Sequence, residues 1–206
     1  MFTGIVQGMG QVCKREEKNK FITFGIQFPS VLLKNLECSA SVSIAGVCLT
    51  VTEIDGLVVF FDAMSETLHR TTLKEYGIGC DINIERSVKM ADEVGGHILS
   101  GHVACVATIS HIEEEENNIK MTFQVDSELM KFIFSKGFIG LDGCSLTVTE
   151  PMKDTFSVWF IPETLRRTTF GNKRIGDHVN VEIDSQTQAI VQTVERYFNA
   201  QKYVQK

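Results

Sequence analysis

Two histidines stand in the run Gly95-Gly-His-Ile-Leu-Ser-Gly-His102. Imidazole titrates near neutral pH and suits general acid–base work. The glycines beside it let backbone approach a ligand closely. His102 follows His97 at a spacing of five, which does not place both rings on one helical face. Neither an acid nor a cysteine flanks them, so no metal site is expected. The six cysteines, Cys13, Cys38, Cys48, Cys80, Cys105 and Cys144, include no CxxC pair. The expectation for them is reduced thiols behaving as small apolar side chains. No P-loop, no GxGxxG opening a helix and no GxSxG occurs, so NTPase, dinucleotide-binding and hydrolase readings lose their main supports. The groups left for chemistry are Ser, Thr and Cys side chains and imidazole.

These groups are organised by an internal repeat. Gly46-Val-Cys-Leu-Thr-Val-Thr-Glu53 recurs as Gly143-Cys-Ser-Leu-Thr-Val-Thr-Glu150. Glu66-Thr-Leu-His-Arg-Thr-Thr72 recurs as Glu163-Thr-Leu-Arg-Arg-Thr-Thr169, and Asn83-x-Glu85 as Asn180-x-Glu182. Gly4 and Val6 recur as Gly101 and Val103. Every pair is 97 positions apart, with no gap. The chemistry is expected where the copies differ: Cys48 against Ser145, Ile5 against His102, Ala45 against Asp142, Asp62 against Trp159, Ser87 against Asp184. That pattern describes two related pockets, one of them modified for reaction; neutral drift is the plain alternative.

The elements that must position these residues are strands. Val42 to Thr52 is rich in β-branched residues. Leu57 to Asp62 follows the hairpin signal Asp55-Gly56. Ile82–Glu85 and Val179–Glu182 alternate apolar and polar, and Phe21–Phe28 and Ile119–Val125 complete the set. Short, closely spaced strands predict a small closed barrel in each copy. Glu66–Thr72 and Glu163–Thr169 read as single helical turns, the second opened by Pro162. From Ser185 to Val204, Ile190, Val191, Val194, Tyr197, Phe198 and Tyr203 give one apolar helical face, for its own barrel or for another subunit. The predicted division is a barrel over 1–97, a second over 98–186 and a helix over 187–206.

Composition narrows the class further. The 206 residues are 43% hydrophobic and 22% charged, which are globular values. Lys+Arg number 20 against 26 Asp+Glu, and no basic stripe stands out, so no nucleic-acid partner is expected. No apolar run approaches a membrane span, and Met1-Phe-Thr-Gly-Ile-Val6 does not read as a signal peptide. A cytoplasmic location is the expectation.

Met1-Phe-Thr-Gly-Ile-Val6, Gly46-Val-Cys-Leu-Thr-Val-Thr52, Glu66-Thr-Leu-x-Arg-Thr-Thr72, Gly95-Gly-His-x-x-Ser-Gly-His-Val103, Gly143-x-Ser-Leu-Thr147 and Ile161-Pro-Glu-Thr164 occur in this order. Together they resemble the riboflavin synthase family of the α-chain type, from residue 1 to about 198, duplication included. The resemblance implies an all-β chain of two similar six-stranded Greek-key-type barrels with a C-terminal α-helix. It implies a transferase that dismutates two 6,7-dimethyl-8-ribityllumazine molecules. A four-carbon unit passes between them, giving riboflavin and 5-amino-6-(D-ribitylamino)uracil, the final step of riboflavin biosynthesis. No metal or external cofactor is implied. The implied assembly is a homotrimer, with each active site between the N-barrel of one subunit and the C-barrel of its neighbour. A non-catalytic lumazine-binding relative with the same duplication is the alternative; a flavin-binding reductase domain is a more distant one.

The resemblance also implies site residues. In the N-barrel pocket it places Gly4, Ile5 and Val6 with Cys48, Leu49 and Thr50 and with Asp62, Ala63, Met64, Ser65, Glu66 and Thr67. In the C-barrel pocket it places Gly101, His102 and Val103 with Ser145, Leu146 and Thr147 and with Ile161, Pro162, Glu163 and Thr164. Lys136 matches a ligand-contacting position. Ser41, Cys48, His102, Ser145 and Asp184 match positions linked to catalysis. One departure from the family pattern is Ala45-Gly46, where many members have Asn-Gly; the loss of an amide there is expected to bear on Ser41 or on a ring carbonyl.

Overall fold

The computed structural model describes residues 1–204; residues 205 and 206, the last two of the predicted helical unit, lie outside the described residues, as do the side chains of Lys202, Tyr203 and Val204. In the first unit the β-branched and aromatic runs form β1 (Gly8–Lys18), β2 (Phe21–Gln27), β3 (Ser41–Ile44), β4 (Val47–Asp55), β5 (Val58–Met64) and β6 (Asp81–Arg86). Burial alternates along them, as in β5, where Val59, Phe61 and Ala63 point inward. They close into a barrel in the spatial order β1-β2-β5-β4-β3-β6. The helical turns α1 (Ser30–Leu33) and α2 (Ser65–Arg70) lie between strands. The core holds Phe24, Ile26, Val42, Val51, Phe61 and Ile84.

The second unit repeats this with β7 (Cys105–Glu115), β8 (Asn118–Gln124), β9 (Phe138–Leu141), β10 (Cys144–Thr147), β11 (Thr155–Phe160) and β12 (His178–Ile183), with α3 (Pro162–Arg167) in the place of α2. The order matches that of the first barrel, but the β10–β11 seam is reduced to the single bridge Thr149↔Ser157. The cause lies in the sequence. Pro151 stands where the first copy has Ile54, and Pro has no N–H for a ladder. Glu150 before it turns to φ +48°.

The run from Val42 to Thr52 is two strands and not one. It breaks at Ala45-Gly46, and the second copy breaks at Asp142-Gly143. All four residues have positive φ, the signature of the tight hairpin turn that matches strand twist. Ala is uncommon in that conformation, so the turn left no ordinary sequence signal. Ala45 is fully buried and its carbonyl accepts a 2.8 Å hydrogen bond from Asn180 Nδ2. It therefore sits in the joint between barrels and lines neither pocket.

That joint has pseudo-twofold form. The two turns press together: a Cβ on Gly46 would lie 2.6 Å from the Gly143 nitrogen. Asn83 Nδ2 donates to Asp142 O at 3.0 Å, mirroring the Asn180 bond. Thr72 N donates to Asn180 Oδ1 and Thr169 N to Asn83 Oδ1, both at 2.8 Å. Phe2 and Leu99 form a two-way backbone bridge. Beyond it the two opening segments cross over. Val6 is buried in the core of the second barrel, while Val103 packs on the core of the first.

The helix α4 (Ser185–Val204) begins where the periodicity predicts. Asp184 caps it, accepting hydrogen bonds from Gln186 N, Thr187 N and Thr187 Oγ1. Val191 packs on the second barrel and Lys131 pairs with Glu195 at 2.9 Å. Ile190, Val194, Tyr197 and Phe198 stay 47–65% exposed.

Candidate functional site

The crossover sets the site. Gly4 and Gly101 both have strongly positive φ, at +76° and +80°. Each aims its carbonyl at the opposite barrel. Ser145 N on β10 donates to Gly4 O at 2.8 Å, and Cys48 N on β4 donates to Gly101 O at 2.9 Å. Each glycine touches the residue it faces: an added Cβ would lie 2.4 Å from Ser145 Cβ or 2.5 Å from Cys48 Cβ. Only glycine fits at either place.

This regroups the predicted pockets. Gly4, Ile5 and Val6 were expected with Cys48, Leu49 and Thr50; they lie with Ser145, Leu146 and Thr147. Gly101, His102 and Val103 were expected with Ser145; they lie with Cys48. The repeat register identifies corresponding residues, not touching ones, and the Phe2–Leu99 bridge forces the exchange.

Two buried carboxylates fix the crossing segments. Glu85 Oε1 accepts from Thr3 N at 2.6 Å and Thr3 Oγ1 at 2.7 Å, and Oε2 from Gly4 N at 3.1 Å. Glu182 does the same to Ser100 N, Ser100 Oγ and Gly101 N at 2.6, 2.7 and 3.0 Å. Burial pushes the Glu85 carboxyl above its ordinary value, and the bonds from Thr3 and Gly4 pull it back. Neither acid, nor Asn83 and Asn180 in the joint, nor Phe2 entered the predicted site. The signal was present: Asn-x-Glu inside an alternating strand in both copies.

Around Cys48, Ser41 pairs across the β3–β4 ladder with Thr50. Leu49 is buried in the barrel core, so only its backbone is available to a ligand. Asp62 accepts a 2.7 Å bond from Thr23 Oγ1, and Ala63 is buried. Met64, Ser65 and Glu66 are exposed and Thr67 half-buried at the start of α2. Around Ser145, Ile161, Pro162 and Glu163 are exposed and Thr164 half-buried at the start of α3. Arg167 and Arg166 hold the Glu163 carboxyl below its ordinary value. Lys136 is exposed with φ +67°, its N–H donating to Val148 O; Ser39 does the same at the equivalent place in the first copy.

The histidine beside Ser145 is His97, not His102. His97 Nδ1 lies 2.6 Å from Ser145 Oγ. His97 is 7% exposed, and its ring stacks on Phe138 at 5.0 Å. Burial lowers the ring's pKa, and the Asp184 carboxylate acts against this. Burial alone would raise the Asp184 carboxyl, but hydrogen bonds from Thr187 and Gln186 hold it below its ordinary value. Asp184 thus joins the site through its charge on His97 while serving as the cap of α4.

Both groups of residues form open surfaces. Ile5, Met64 and Ile161 are 48%, 54% and 57% exposed, and His102, Thr50 and Thr147 are exposed. A cavity of about 450 Å³ lies elsewhere, at the joint, between Thr72, Tyr76, Thr169, Lys173 and His178. Asp142 is buried beside it. Its Oδ1 accepts from Asn180 N at 2.7 Å and its Oδ2 lies 3.3 Å from Lys173 Nζ. The difference between Ala45 and Asp142 thus belongs to the joint. Among the described residues, no group of three His, Cys, Asp or Glu side chains could hold a metal, all six cysteines are free, and no helix is long and apolar enough to cross a membrane.

Comparison with known proteins gives the arrangement its relatives. The lumazine binding domain model matches twice, over residues 3–87 and 100–184. Riboflavin synthase of Escherichia coli strain K12 is 51% identical over 203 residues, covering 98% of this chain and 95% of that one. The solved structure of LumP complexed with 6,7-dimethyl-8-(1'-D-ribityl) lumazine superposes with a TM-score of 0.82 at 31% identity, and LumP complexed with riboflavin with a TM-score of 0.84 at 31% identity. Each covers 90% of this chain and 100% of the LumP chain. With two lumazine-binding domains and a synthase relative matched along nearly its full length, the chain belongs to the riboflavin synthase family.

Proposed function

We propose that this protein is a riboflavin synthase, a transferase that dismutates two molecules of 6,7-dimethyl-8-ribityllumazine into riboflavin and 5-amino-6-(D-ribitylamino)uracil. The observation that carries this is the paired surface just described. The Gly4–Ser145 and Gly101–Cys48 contacts mirror each other between two barrels of matching strand order. Two like pockets suit two identical substrates.

The C7 methyl of one lumazine loses a proton, and the other lumazine accepts a nucleophile at C7. The two products together hold the atoms of two substrates, so the reaction balances without a metal or external cofactor. The ring system delocalises the carbanion. The protein's task is then to orient two rings and move protons, and orientation alone supplies roughly 7–11 kcal/mol in favourable cases. Ser145, His102, Cys48 and Ser41 are the groups assigned to that proton work. Asp184 acts on it from the head of α4, through its charge on His97.

The working form we propose is a cytoplasmic homotrimer, with the Cys48 face of one subunit meeting the Ser145 face of the next. The exposed Ile5, Met64 and Ile161 and the uncovered face of α4 support this. The proposed units are barrels over 1–97 and 98–186 and an oligomerisation helix over 187–206.

The test is to mix the purified protein with 6,7-dimethyl-8-ribityllumazine and follow riboflavin by fluorescence and chromatography. Formation of riboflavin and the pyrimidine in equal amounts is expected. Binding without turnover would place the protein with non-catalytic lumazine binders.

A further inference from the structure

The two pockets are alike in backbone but not in how their reactive atoms are held. Among the described residues the Cys48 thiol has no side-chain hydrogen bond, whereas Ser145 Oγ is fixed by an imidazole nitrogen at 2.6 Å. That imidazole has little freedom. Its ring lies within 14° of parallel to Phe138 on β9. Gly96, just before it, is pressed against Ser145: a Cβ there would come within 2.5 Å of both Ser145 Cβ and Thr3 O. So Gly96 has to be glycine for His97 to reach Ser145 at all. Burial lowers the ring's pKa, which favours the neutral form near neutral pH. A neutral ring has one nitrogen that accepts and one that donates. With Nδ1 engaged by Ser145, Nε2 is buried and has no partner among the described residues.

We propose that His97 is a positioning residue for Ser145. It holds the hydroxyl in one rotamer, with the oxygen turned toward the bound lumazine, and so makes the Ser145 pocket chemically distinct from the Cys48 pocket. The inference rests on the synthase reading. Asp184, at the head of α4, acts on His97 through its charge. The dyad is therefore coupled to the start of the helix.

The test is a double-mutant cycle in the full-length protein, with unmodified protein measured alongside. His97→Leu should lower kcat about 10²-fold, the scale of a misplaced reacting group. It should leave riboflavin affinity, read by fluorescence titration, within about threefold; uniform binding loss would appear in KM instead. His97→Asn, which keeps a hydrogen-bonding atom near the place of Nδ1, should recover part of the loss. In a Ser145→Ala background, His97→Leu should change kcat by less than about threefold, because the group it positions is gone. An equal loss with and without Ser145, an unchanged rate, or a loss that follows the melting temperature with no rescue by Asn would each overturn the proposal. If the Leu variant does not fold, the same cycle with His97→Asn carries the decision. If unmodified protein forms no riboflavin, the synthase reading itself fails, an outcome separate from any of these.

Discussion

Cys48 and Gly101 belong to different repeats, yet the amide of Cys48 bonds the carbonyl of Gly101 at 2.9 Å. Ser145 and Gly4 are joined in the same way at 2.8 Å. Each barrel's reactive strand is thus completed by the opening segment of the other unit.

A fragment of residues 1–97 lacks the segment that normally meets Cys48. It carries an equivalent one, since Gly4 corresponds to Gly101. Two copies can exchange these segments with twofold symmetry, as in a domain swap. The fragment should therefore form a homodimer by light scattering, bind riboflavin, and make none from lumazine. A monomer that binds as well as the dimer would contradict the exchange.

His102 and Ser145 now stand in different pockets, so their variants should act independently. His102→Gln and Ser145→Ala are each expected to lower kcat, within the roughly 10²–10⁴-fold range of proton-transfer groups, with little change in riboflavin affinity. Their effects on the logarithm of the rate should add. Near-normal kcat with affinity lost would favour orientation as the whole of catalysis. Melting curves on the same samples separate a hydrogen bond that merely supports the Gly101 turn.

Removal of residues 187–206 takes away α4 with Ile190, Val194, Tyr197 and Phe198, which no other described residue covers. The proposed trimer should fall to monomers, with the barrels still folded by circular dichroism. Truncated protein that remains trimeric would move the assembly contact elsewhere.

Lys173 is the counter-charge to the buried Asp142. Lys173→Met leaves that carboxylate unpaired, a change of about 3–5 kcal/mol for buried pairs. Burial already pushes the Asp142 carboxyl above its ordinary value, with Lys173 opposing. A group whose folded pKa is raised contributes stability below its unfolded pKa and loses it as pH rises through the folded one. The Lys173→Met defect should accordingly shrink on acidification from neutrality toward the carboxylate range. Denaturant midpoints at several pH values check this, and a defect that grows on acidification would reverse the sign.

Much of this was legible in the sequence. The strict register of Gly-x-x-Leu-Thr-Val-Thr-Glu and Glu-Thr-Leu-x-Arg-Thr-Thr showed two like units, and the apolar spacing from Ser185 placed α4. The crossing of the segments was not legible. It depends on which copy's Val fills which core, and Val6 and Val103 are the same residue in the same context. The Ala45 turn was hidden because its conformation is set by the joint and not by residue preference. β1 and β7 escaped because their outer ends, Lys14–Lys18 and Glu113–Glu115, are polar and mostly exposed. His97 looked no different from His102 in sequence; only the contact of Gly96 with Ser145 distinguishes it.

The Phe2–Leu99 bridge also has a consequence for dilution. Two units that complete each other's cores would, as separate chains, be folded only above some concentration. Joined through the Gly95-Gly96 linker, each meets its complement at an effective local concentration of about millimolar order, whatever the amount of protein present. Covalent fusion thus frees the completion of each pocket from mass action and leaves only the contact between subunits subject to it.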